Sequence, residues 1–77
     1  SMAEAGALRD KVTAALADLP PILRAVVVLR DVYDLPHDAF ATELGITESA
    51  AKVRLHRARR KLKELVYGQE EPVTQEV

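Results

Sequence analysis

The sequence predicts an all-α fold: a three- to four-helix domain with a C-terminal helix-turn-helix whose last helix is long. Three observations carry this. From Ala51 through Leu55, Ala58 and Leu62 to Leu65, apolar residues recur at spacings of four, three, four and three, which is one helical face. Gly45 and Thr47 stand just before that run and supply a turn and a helix start. No stretch alternates with the period of a half-buried strand next to a partner that could pair with it.

The first element is expected over residues 3–18, where Leu8, Val12, Ala15, Leu16 and then Leu19 fall on one side. Pro20-Pro21 ends it, because a residue before proline is pushed out of the helical region. Asp18 is placed to cap the helix that follows. Both prolines suit a first helical turn, where the missing N–H is no loss. Ile22, Ala25, Val26, Leu29 and Tyr33 then mark a second apolar face, with Leu23 and Val27 on its flank. This helix is expected to be the central, most buried one, and Tyr33 is expected in the core. Val26-Val27-Val28 has strand propensity, but the pattern lasts too long and has no partner strand, so a helix is expected.

Asp34-Leu35-Pro36 breaks the chain again. A short helix follows from about Pro36 to Leu44 with Phe40, Ala41 and Leu44 inward and Asp38 at its positive end. Gly45 supplies the left-handed residue that stops it, Ile46 plugs the turn, and Thr47 caps the next helix through its side-chain oxygen. The long helix runs to Val66 or Tyr67, where Gly68 stops it. The tail, residues 69–77, is polar and acidic and is expected to be disordered. Ser1-Met2 reads as a cloning scar ahead of an internal fragment, so residues 3–67 form the expected domain and 68–77 the tail.

Composition narrows the function. The chain has 77 residues and no cysteine, which excludes disulfides and thiolate metal sites. No apolar run approaches the roughly 18 residues of a membrane span, and no signal peptide is visible. The net charge of −1 conceals a strong segregation. Between Ser49 and Lys63 there are seven Lys/Arg and no acid, whereas the rest of the chain holds four Lys/Arg against twelve Asp/Glu. A uniform mixture would leave no preferred partner; this helix is built to meet negative charge.

A helix, a short turn with glycine and a second helix form the pattern in which the second enters the DNA major groove. The last helix is accordingly expected to be a long recognition helix. Turning 100° per residue from Ala51, the outward positions are Glu48, Ser49, Lys52, Val53, His56, Arg57 and Arg60. Lys52 and Arg57 can donate to guanine, His56 can donate or accept, Glu48 can accept from cytosine and Val53 can touch a thymine methyl. These five are the expected base contacts. Thr47, Ser49, Arg54 and Arg60 are the expected phosphate contacts, which fix register and supply most of the affinity. His37 and Asp38 lack a nucleophile and a third group for acid–base chemistry. No catalytic residue, metal site, cofactor or small-molecule substrate is therefore expected.

The ordered pieces Leu19-Pro20, Val28-Leu29-Arg30-Asp31, Leu44-Gly45-Ile46 and Lys52-Val53-Arg54-Leu55-His56-Arg57-Ala58-Arg59 together resemble region 4 of bacterial sigma factors of the extracytoplasmic-function group. The resemblance covers residues 13–65. It implies a four-helix domain whose last helix reads the −35 promoter element within RNA polymerase holoenzyme, with Lys52, Val53, His56 and Arg57 toward bases and Ser49 and Arg54 near the backbone. It also implies a cytoplasmic protein that contacts the flap of the polymerase β subunit and is captured by an anti-sigma factor. The alternative is a protein-interaction module that docks such a regulator or mimics a sigma factor. Three departures stand out: Pro36 for a frequent Ser cap, Ala39 for a frequent Glu, and Ala50-Ala51 for a Thr-Val pair. The last is expected to thin the packing beneath the recognition helix.

Overall fold

The computed structural model describes residues 1–68, so the expected disorder of the tail lies outside the described residues. Four α-helices and one π-helical turn follow each other along the chain: α1 (Met2–Asp18), α2 (Pro21–Val27), the π turn (Val28–Val32), α3 (His37–Leu44) and α4 (Glu48–Tyr67). No strand occurs among the described residues. The all-α expectation holds, and the β-branched run at Val26 is helical.

Helix α1 begins at Met2, with Ser1 as its cap. The Ser1 hydroxyl accepts from the Glu4 N–H at 3.3 Å, and the Ser1 amino terminus donates to Glu4 Oε1 at 3.0 Å. The start therefore lies one residue earlier than periodicity suggested. Of the expected inner face, Ala15 and Leu19 are buried and Val12 and Leu16 half-buried, but Leu8 is exposed because the core does not extend beneath the first turns. Asp18 remains inside α1 and caps nothing; Pro20 occupies the cap of α2 without a side-chain bond.

The core gathers Leu19, Val26, Val27, Phe40, Ala41, Ala51, Leu55 and Ala58, with Leu23, Leu29, Leu35, Leu44, Ile46 and Leu62 packed against it. Helices α1, α2 and α3 all rest on α4, so α4 and not α2 is the hub. An α-helix has about 3.6 residues per turn, so Tyr33, seven positions after Val26, would share its buried face. The π turn widens the helix before that point, with Tyr33 N–H donating to the Val28 carbonyl at 3.0 Å. Tyr33 thereby leaves the core and is 69% exposed, and Ile22 at the other end is exposed as well. Asp34 ends the element with φ of 59°, a left-handed value that aspartate tolerates better than most residues. Arg30 Nη1 braces it, donating to Asp34 Oδ1 at 3.0 Å and to the Leu35 carbonyl at 3.2 Å.

Where α1 meets α2, Arg24 reaches back to three carbonyls: Leu16 at 2.9 Å, Ala17 at 3.1 Å and Leu19 at 2.9 Å. The last carbonyls of a helix lack intrahelical partners and carry partial negative charge. The last turn of α1 has no basic residue of its own, and the guanidinium of Arg24 fills that role from the next helix.

Candidate nucleic-acid interface

The turn between α3 and α4 follows from three residues. Gly45 adopts φ of 70°, which costs a residue without Cβ little. Its N–H donates to the Thr42 carbonyl at 3.1 Å and the Ile46 N–H donates to the Ala41 carbonyl at 3.0 Å, satisfying two orphan acceptors of α3. Thr47 then caps α4, its Oγ1 accepting from the Ala50 N–H at 3.0 Å. At the start of α3, Pro36 offers no cap, but Asp38 Oδ1 accepts from the Ala39 N–H at 2.9 Å and restores part of what a serine would supply.

Helix α4 is continuous for 20 residues. Ala51 and Ala58 are fully buried, with Leu55 between them. Ala51 is itself a member of the core, with Leu55 and Ala58, beneath α4. At the far end the register shifts by one. Val66 is buried and Leu65 is 39% exposed, the reverse of the expected order. A strict four-three repeat drifts by about 20° per heptad relative to a straight helix, so four steps from Ala51 the spacing alone no longer picks out Leu65 over Val66 as the inward residue.

The outer face carries the expected residues. Glu48, Ser49, Lys52, Val53, His56, Arg57 and Arg60 are all exposed, and Arg54 lies half-buried at the flank. Thr47 is exposed at the helix start, although its oxygen already serves as the cap. The seven cations of residues 49–63 are not equivalent. Lys52 pairs with Glu48 at 3.6 Å and Lys61 with Glu64 at 3.8 Å, both within α4. Arg59 turns away to the π turn, where Nε donates to Asp31 Oδ2 at 3.0 Å and Nη2 donates to Oδ1. These bonds raise the Arg59 pKa above its ordinary value, burial opposes that, and the Asp31 charge adds to it. Arg54, Arg57, Arg60 and Lys63 make no ion pair among the described residues. An open groove along α4 is lined by His56, Arg59, Arg60 and Lys63.

Charge pattern alone could not separate Arg59 from its neighbours, because its partner lies 28 positions away. Arg24 carried no sequence signal either; it stands isolated on a helix whose neighbours are apolar. His37 stacks at a tilt on Phe40, ring centroids 5.6 Å apart, and serves the core edge. No group of three or more His, Cys, Asp or Glu that could hold a metal ion occurs among the described residues. No helix there is long and apolar enough to cross a membrane.

Comparison with known proteins agrees with this geometry. The family model described as sigma-70, region 4, matches residues 9–62. The ECF RNA polymerase sigma factor SigE of Mycolicibacterium smegmatis is 39% identical over 51 residues, which is 66% of this chain and 20% of the relative. The chain thus spans about a fifth of the length of that curated relative. No solved structure matches. The match contains the whole of α2, α3 and the turn, and α4 as far as Leu62. From its residues, its helices and this match, the chain belongs to the sigma-70 region 4 family.

Proposed function

We propose that this domain binds the −35 element of promoter DNA through α4 and so directs RNA polymerase to promoters, as region 4 of an extracytoplasmic-function sigma factor. One observation carries the reading: the cations of α4 that no acid among the described residues pairs with lie on a helix pinned from below by Ala51, Leu55 and Ala58. Rigid presentation is what a base-reading helix needs, since a shift of the helix moves every contact together. Lys52, Val53, His56, Arg57 and Glu48 face bases in this reading. Thr47, Ser49, Arg54 and Arg60 meet the backbone, with the amide end of α4 adding its partial positive charge. The polymerase core, through the flap of its β subunit, is the protein partner.

The test is a fluorescence titration against labelled duplexes with −35-like and scrambled sequences at several salt concentrations. With four to five phosphates neutralised, log K falls against log salt with a slope between about −3.6 and −4.5. A flat salt dependence, or equal affinity for all duplexes, removes the reading.

A second reading rests on Val32 and Tyr33, the last residue of the π turn and the one after it, exposed at 61% and 69% and away from the described core. Exposed apolar side chains side by side suit a protein partner, here an anti-sigma factor. The same titration with and without that regulator separates the two: a docking module captures the regulator while failing to select a duplex.

A further inference from the structure

Five ion pairs occur among the described residues, and four of them join residues three or four positions apart. The fifth, Arg59 with Asp31, spans 28 positions and joins α4 to the π turn. Both partners are substantially exposed, at 52% and 36% of the side chain. An exposed pair usually contributes little to stability, and a bidentate one somewhat more, so the energy alone does not distinguish this pair. Its geometry is more telling. The guanidinium meets both carboxylate oxygens as a fork, and fork-to-fork pairing fixes direction as well as distance.

The direction matters because of where Arg59 lies. It lines the same open groove as His56, Arg60 and Lys63. Without an acid facing it, its charge would join theirs. Asp31 is held in place by the backbone around it. The π turn is closed by Tyr33 N–H to the Val28 carbonyl, and Leu35 N–H donates to the Leu29 carbonyl at 3.0 Å. The neighbouring Arg30 anchors the exit through Asp34 and Leu35. Single π turns within helices recur at functional positions, and this one carries the acid that meets α4.

We infer that Asp31 acts on DNA binding through Arg59: its carboxylate holds the Arg59 guanidinium off the nucleic acid, so that α4 meets phosphates with one cation fewer than its sequence carries. Asp31 is a positioning residue and touches no DNA. Its effect is to restrain sequence-independent attraction, which leaves more of the binding to the base-facing side chains. This rests on the duplex-binding reading of α4.

The experiment measures affinity for a short random-sequence duplex across a salt series, for the parent chain and three variants. Releasing Arg59 in Asp31→Asn adds one phosphate contact, so the log–log slope steepens by about 0.9 and affinity rises on the order of 8-fold at 0.1 M salt relative to 1 M. Arg59→Ala leaves the parent slope unchanged, because that guanidinium was not on the DNA. Asp31→Asn with Arg59→Ala returns to the parent slope. A steepening that survives in the double variant overturns the inference, since the lost acid would then act by its own charge. A slope that flattens by about 0.9 in Arg59→Ala overturns it too, since Arg59 would already hold a phosphate. If circular dichroism shows Asp31→Asn unfolded, Arg59→Ala alone decides by the same criterion. A parent chain that binds no duplex at low salt fails the underlying reading and this one with it, an outcome distinct from a bound parent whose Asp31→Asn slope does not move.

Discussion

The backbone N–H of Ile46 donates to the carbonyl of Ala41 at 3.0 Å, directly across Gly45. That bond, with the Gly45 N–H to Thr42, sets the path by which the chain leaves α3 and enters α4. It requires the left-handed backbone at Gly45, φ of 70°. A Cβ built there meets nothing within 4 Å, so a side chain would suffer only the torsional cost of that conformation. Gly45→Ala is expected to destabilise the domain by about 1–2 kcal/mol, the cost of a left-handed L-residue. Gly45→Asn should lose less, since asparagine enters this region more readily. Urea denaturation with an unchanged midpoint for Gly45→Ala would show that the turn can be made another way.

Thr47 serves stability and, in the proposed function, DNA. Thr47→Ala removes the acceptor for the Ala50 N–H and is expected to cost about 1 kcal/mol. Thr47→Asp keeps an acceptor and should preserve thermal stability. The same Thr47→Asp places a negative charge where a phosphate is expected, so duplex affinity should fall while folding does not. Equal duplex affinity for Thr47→Asp and the parent would move the phosphate away from the start of α4.

Elements whose signals are local were legible in the sequence. Gly45, Thr47 and the four-three spacing through Ala51, Leu55 and Ala58 each announce their role within one turn of the chain, and the structure places all of them as expected. What was not legible depends on distant partners or on helix phase. The Arg59–Asp31 fork and the reach of Arg24 to Leu16, Ala17 and Leu19 join different elements. The π turn changes helix phase, and no pattern in Val28–Val32 marks it, so periodicity alone puts Tyr33 in the core it leaves. The outward face of α4 was legible for the converse reason: once Ala51 is fixed as inward, geometry assigns every neighbour.

The shift between Leu65 and Val66 gives a direct test of that helix phase. Val66 is 6% exposed and Leu65 39%. Val66→Ala removes buried methyl groups and is expected to cost about 1–2 kcal/mol, at roughly 0.8 kcal/mol per buried carbon. Leu65→Ala removes more atoms yet should cost less, near the roughly 0.5 kcal/mol typical of surface changes. Thermal melts in which Leu65→Ala is the more damaging would place the α4 terminus in the register that spacing alone suggested.

Arg57 and Arg60 are three positions apart on α4, both exposed and neither paired among the described residues. Chemically they are identical, so only position can give them different roles. Arg57 lies on the outward line continued from Val53, and Arg60 borders the groove with His56 and Lys63. In the proposed function Arg57 reads a base and Arg60 holds a phosphate. A base contact discriminates among sequences, so Arg57→Ala is expected to relax the preference at one position by about 1–3 kcal/mol. A phosphate contact is blind to sequence, so Arg60→Ala should weaken all duplexes alike and reduce the salt slope by about 1. Neither change should shift the thermal midpoint by much, because neither side chain touches the core. The two signatures are separable in one experiment, a salt series against matched and mismatched duplexes. If Arg57→Ala lowers every affinity equally and flattens the salt slope, Arg57 is a backbone contact and the base-reading face of α4 must lie nearer Lys52 and Val53.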